Sequence, residues 1–170
     1  MCSKEAQMSG VKPFLNQLDE EFARLHARSR ALLSIIPAQD LFRQPREHST
    51  RHFPVHSCGE HLLRAAAVVE QTFGGLTTNL WDDPFEWTLP ETLSTPERIA
   101  EYLIEVEATR QRGFQLFNAD TDLQKEIVVP SGEAKKLAAL LLETLVRAAH
   151  HEGKAFATLR LFVSVQLPLV

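Results

Sequence analysis

Three features of this 170-residue chain predict an all-α fold, a four-helix bundle. Apolar residues recur three or four apart through four long segments, helix-start signals precede several of them, and no alternation long enough to build a sheet appears. With 44% hydrophobic and 24% charged residues, the composition is that of a globular chain able to bury a core as one domain.

Residues 1 to about 11 are small and polar and read as a flexible lead-in, leaving 12–170 as the domain. From Pro13 the pattern turns helical. Phe14, Leu15, Leu18, Phe22, Leu25, Leu32, Leu33 and Ile36 form the inward stripe, and Pro37 ends it. The stretch from Pro37 to His56 holds three prolines and reads as a connection with one short turn. Ser57 and Glu60 then have the spacing of a capping box, followed by Leu62, Leu63, Val69, Phe73 and Leu76 on one face. Ala65, Ala66 and Ala67 would let a neighbouring helix approach closely. Gly74-Gly75 marks the expected end.

The next connection carries Trp81, Phe85 and Trp87, aromatics expected to anchor it to the core. Thr95-Pro96 starts a third helix with Ile99, Leu103, Val106, Phe114 and Phe117 inward. Gly113 sits inside it, at a cost of about 1 kcal/mol relative to Ala. Ser131 is the expected cap of a fourth helix carrying Leu137, Leu140, Leu141, Leu145, Ala148, Phe156, Leu159 and Leu161, with Gly153 as a possible bend. The tail from Phe162 to Val170 could extend along the bundle. Four such helices require a shared core, and the long loop between the second and third permits a crossover between them.

The net charge of -4, with arginines spread along the chain, argues against a nucleic acid or an anionic membrane as partner. Cys2 and Cys58 lie far apart, so no disulfide framework is expected, and a reducing, cytoplasmic setting is the natural one. The start MCSKEAQMSG has no apolar leader, and no stretch reaches the length of a membrane span. Cys58, beside a helix N-terminus, is expected to have a somewhat lowered thiol pKa yet to be structural. His48, His52 and His56 are spaced four apart, but Pro45 and Pro54 break any helix there, so solvated loop histidines are expected.

Two segments, HSCGEHLLRAAAVVE from His56 and AAHHEGKAFATLRLF from Ala148, are similar to the two motifs of the DinB/YfiT-like family. Their order and spacing agree with that family along almost the whole chain. The resemblance implies an up-down-down-up bundle. It also implies a central site in which three histidines, one on the second helix and two on the fourth, hold a divalent metal. Active relatives are metal-dependent transferases or isomerases that use low-molecular-weight thiols. Position by position, the ligand places fall on Arg64, Arg147 and His151, and only the last is a histidine. An arginine stays protonated and does not ligate a metal. The triad therefore reads as lost, with no cofactor expected.

Three expectations follow. In the first, Arg64 and Arg147 point inward and make a polar cluster with Glu60, His61, Glu143 and His151. Glu60 and Glu143, one turn earlier, are their candidate partners, and a small anionic ligand or a non-catalytic role follows. In the second, a shifted site of His61, His150 and His151 holds zinc or nickel for thiol S-transfer; otherwise His61 and His150 are partly exposed and His151 is hydrogen-bonded inside. In the third, the chain is a homodimeric structural or interaction protein.

Overall fold

The computed structural model describes residues 11–45, 55–84 and 92–164. The protein is mostly helical: α1 (Pro13–Ile35), a one-turn α2 (Ala38–Leu41), α3 (Cys58–Thr78), α4 (Pro96–Gln115) and α5 (Leu137–Leu159). Proline stands at the start of α1 and of α4, where its missing N–H costs nothing. Thr95 accepts from the Arg98 N–H to cap α4. α3 opens on the expected capping box, with Ser57 accepting from the Glu60 N–H and Glu60 accepting from the Ser57 N–H. It runs a turn past the glycine pair and stops at Asn79, whose φ of 58° and N–H bonds to Gly74 and Gly75 carbonyls make a left-handed cap.

Two expectations are corrected in the segment before α5. Ser131 does not cap a helix, because a short antiparallel hairpin precedes it: β1 (Glu126–Val128) pairs with β2 (Ala134–Lys136). Gly132, at φ +81°, turns the hairpin, and α5 begins only where the Leu137 N–H reaches the Lys125 carbonyl at 2.8 Å. Three-residue strands are too short to betray themselves by alternation. A 3-10 turn at Asp120–Gln124 leads into the hairpin, with Asp122 accepting from the Asn118 and Ala119 N–H groups. Asp120 in turn accepts from the N–H groups of Phe14 and Leu15, which otherwise lack intrahelical partners.

α3 packs against α4 and α5, and α1 packs against the same two helices from the other side. One apolar cluster gathers Leu32, Leu33, Leu41, Leu62, Leu63, Ile99, Leu103 and Leu159; a second gathers Leu15, Leu18, Phe22, Phe73, Phe114, Leu137 and Leu141. Ala65, Ala66 and Ala67 are all buried, as close helix approach requires. Beside them a cavity of about 30 Å³ remains, lined by Ser29, Ala66, Ala148 and Arg110 among others, enough for one water. Phe14 and Leu161, expected inward, are 50% and 66% exposed, the one in the first turn of α1 and the other beyond the end of α5. Val163 packs on the first cluster and the Arg43 guanidinium lies 4.5 Å from the centre of the Phe162 ring; residues 165–170 lie outside the described residues.

Trp81 anchors its loop as expected: its carbonyl accepts from Gln71 at 3.0 Å, and its ring covers Gly75, where a Cβ would come within 2.3 Å. Phe85 and Trp87 lie outside the described residues. The rings of Phe22 and Phe73 meet edge to face at 5.3 Å, and Phe73 lies 5.3 Å from Phe114. Gly113 makes room for this group, since a Cβ there would stand 2.4 Å from Phe73. Helix propensity and packing thus oppose each other at this position. Gly113→Ala is expected to destabilise the fold by about 1–3 kcal/mol in urea unfolding, overpacking outweighing the better helix former.

Candidate functional site

His61 and Arg64 project from the first half of α3, and Arg147 and His151 from the middle of α5. The capping box sets the start of α3 and hence the direction of its first turns. Glu60 is occupied at that start: it accepts from Ser57 N at 2.6 Å, Ser57 Oγ at 2.8 Å and Gln44 Nε2 at 3.1 Å, and lies 3.5 Å from His56 Nδ1. Burial pushes its carboxyl up, but the bonds from Ser57 and His56 outweigh this and hold it below its ordinary value. The expected Glu60–Arg64 pair therefore gives way to the cap. The expected Glu143–Arg147 pair gives way as well. Glu143 accepts from Lys135 at 2.8 Å, brought there by the hairpin, and Arg147 is exposed rather than inward.

Arg64, Arg147 and His151 nevertheless converge. With Gln71, Asp83 and the small side chains Ala67 and Val68 they line a pocket of about 60 Å³ between α3 and α5. Behind it His61, only 7% exposed, stands with its ring 5.9 Å from that of His151. His56 meets His61 edge-on at 5.5 Å, so it belongs to this cluster rather than to a solvated loop. His48 and His52 lie outside the described residues. His150 is exposed, and its ring, 6.0 Å from that of His151, belongs only to the neighbouring residue on the same helix. Of the expected shifted set, His61 and His151 come together while His150 faces solvent.

Both buried Nδ1 atoms, on His61 and on His151, lack a hydrogen-bond partner among the described residues. This corrects the expectation of a partly exposed His61 and a hydrogen-bonded His151. Burial, reinforced by His56, His151 and Lys154, lowers the His61 pKa to about 4. Burial likewise lowers His151 to about 4, helped by Lys154, Arg64, His150 and Arg147. The result is a pair of neutral imidazoles with Arg64, Arg147 and Lys154 near them and Glu60 and Asp83 as the neighbouring carboxylates. Imidazoles in this state have lone pairs available for a metal, although among the described residues no group of three or more His, Cys, Asp or Glu is arranged to hold one. Cys58, at 0% exposure, has its thiol pushed up to about 12 by burial, which overrides the helix-start effect.

The most deeply buried charges lie elsewhere. Arg110, 4% exposed, bridges Asp19 of α1 and Glu107, the latter at 2.7 Å. Glu152, 2% exposed, pairs with Arg28 at 2.8 Å and accepts from Ser29. A signal for them exists in the chain. Arg110 interrupts the inward stripe between Val106 and Phe114, and Glu152 stands between the buried Ala148 and Ala155. Charges in apolar registers are expected to find partners.

No protein-family model, curated protein or solved structure matches the chain. Among the described residues no helix is long and apolar enough to cross a membrane.

Arg147→Ala is expected to change stability by no more than about 0.5 kcal/mol, as at an exposed position. Arg110→Ala should cost about 3 kcal/mol, because Glu107 is left half-buried without its partner. Urea unfolding of the two variants side by side measures the contrast. A further test concerns pH. The unfolded chain protonates His61 near 6.5, the folded protein only near 4, so stability is lost as pH falls through that window. His61→Gln should remove about 2 kcal/mol of this acid sensitivity between pH 6.5 and 4.5, read from the difference of two unfolding profiles.

Proposed function

We propose that this chain is a DinB-like four-helix bundle of up-down-down-up order whose family metal triad has been replaced, and that the pocket at Arg64, Arg147 and His151 binds a small anionic molecule. Support for the helix order comes from residue pairs along the core. Ser29 meets Glu152, Asp19 meets Arg110, Tyr102 donates to Glu70, and Phe73 meets Phe114. Ser29 and Glu152 stand almost equally far along α1 and α5, Asp19 near the start of α1 meets Arg110 near the end of α4, and the two α3–α4 pairs advance along both helices together, as a crossover between α3 and α4 requires. The observation that carries the functional reading is the meeting of Arg64 and Arg147, from two different helices, on one pocket with His151.

The chemistry favours an anion. Arg64 and Arg147 bring two guanidinium groups to the lining and Asp83 one carboxylate, and the histidines add no charge near neutral pH. A pocket of about 60 Å³ accommodates a group the size of a carboxylate or phosphate, several times the room of one water. A planar guanidinium can hold such a group through two parallel bonds. Among the described residues that line the pocket none is a serine, threonine or cysteine.

One observation favours a second reading, a divalent metal held by His61 and His151. Their buried, neutral rings with unpartnered Nδ1 atoms suit zinc or nickel, with His56 as the nearest further imidazole. A metal so placed would supply Lewis acidity to a thiol-transfer reaction. Titration calorimetry with inorganic phosphate and with a short dicarboxylate, on wild type and Arg147→Ala, separates the two readings when repeated with zinc and nickel on His151→Ala. Saturable anion binding weakened tenfold or more by Arg147→Ala is the expected result. Stoichiometric metal binding lost in His151→Ala, with no anion binding, would replace it by the second reading.

A further inference from the structure

A larger cavity, of about 380 Å³, lies between the second half of α3, the last two turns of α4 and the loop that follows α3. It has the size of a small-molecule site. Among the described residues Gln71 alone lines both this cavity and the anion pocket. The loop side of the cavity is anchored to α3. The Trp81 carbonyl accepts from Gln71 Nε2 at 3.0 Å, and the Leu80 N–H bonds the Gly74 carbonyl at 3.3 Å. Gly74 permits this approach, since a Cβ there would stand 3.1 Å from the Leu80 oxygen. The hydrogen-bonding groups of the lining are lopsided. Thr77 has committed its one proton to the Phe73 carbonyl at 2.7 Å, Thr78 to Gly74 at 2.9 Å and Thr109 to Glu105 at 3.1 Å. What these hydroxyls keep is lone pairs. The half-buried Glu70 accepts from the Tyr102 hydroxyl through Oε2 at 2.5 Å, and its Oε1 has no donor among the described residues.

We propose that this cavity binds a small organic ammonium compound, its ammonium group on Oε1 of Glu70 and its carbon chain against Leu80 and Pro84. The charged residues of the lining are Glu70, Asp82 and Arg112, and the Arg112 guanidinium donates to Thr109 at 2.9 Å. Neither carboxylate has a cation as ion-pair partner among the described residues. Burial, with Glu105 nearby, pushes the Glu70 carboxyl above its ordinary value in spite of the Tyr102 bond. A positive ligand would relieve that cost by completing the pair. An ammonium brings three donors and a charge, which answer the spare acceptors and the unpaired carboxylates together. A neutral polyol brings an acceptor with every donor, and an anion would face two carboxylates. This site is independent of the anion pocket and stands or falls without it.

The experiment is titration calorimetry near neutral pH and at constant salt, with diaminobutane as the probe and butanediol as its uncharged counterpart. Saturable binding of the diamine, with none of the diol, is the expected result. Glu70→Gln removes the charge while keeping the shape and an acceptor for Tyr102, and should weaken binding at least tenfold. Thr78→Phe, at an exposed position of the lining, should obstruct the cavity and weaken binding as much. Unchanged helical circular dichroism is the control for both variants. No saturable diamine binding through the millimolar range would overturn the proposal. So would equal binding of the diol, or diamine binding that either folded variant leaves intact. Inorganic phosphate that binds wild type and is lost in Arg112→Ala would replace the ammonium by an anion.

Discussion

The close contact of α3 with α5 is the constraint on which the other features depend. α3 is covered along nearly its whole length, with Leu62, Leu63, Ala65, Ala66, Ala67 and Phe73 buried. Its small middle residues let α5 lie near enough for Thr72 and Thr144 to share a hydrogen bond at 2.8 Å inside the core. Separating the helices would strand both hydroxyls and expose both apolar clusters. The same approach sets His61 beside His151 and brings Arg64 and Arg147 to one pocket. The site is thus a by-product of core packing, built on α3 and α5 with Asp83 added from the loop that follows α3.

Electrostatics divides the protein into two regimes. In the core, Arg110 with Asp19 and Glu107, and Glu152 with Arg28, join α1 to α4 and to α5, so cations and anions are matched where water is scarce. At the histidine recess the imidazoles are neutral, and both cations and carboxylates lie near them. Matched charges in the core specify which helices meet. The inner face of α5 builds the core while its flank carries Arg147, so one helix serves both the packing and the pocket.

Much of this was legible in the chain because it is local. The capping box at Ser57 and Glu60, the Thr95-Pro96 start, the stop at Pro37 and the stripes of α1, α3 and α4 depend on residues within a turn or two of each other. The hairpin before α5 was not legible, because Glu126–Val128 and Ala134–Lys136 are strands only by virtue of each other. Gly113 looked like a weak point in a helix, and its reason, the ring of Phe73 from another helix, is absent from its neighbourhood in sequence.

The site divides along the same line. The resemblance of two short motifs singled out Arg64, Arg147 and His151, with His61 beside them, and spacings of three or four place each pair on one helix face. Which partner each of them takes is a question of distance, and distance between helices is a tertiary quantity. Glu60 is closer to its own helix cap than to Arg64, and Lys135, delivered by the hairpin, outcompetes Arg147 for Glu143. Helical periodicity is set by bonds within one segment and is written there. Burial, the lowered histidine pKa values and the choice of ion-pair partner arise only once separate segments exclude water from one another.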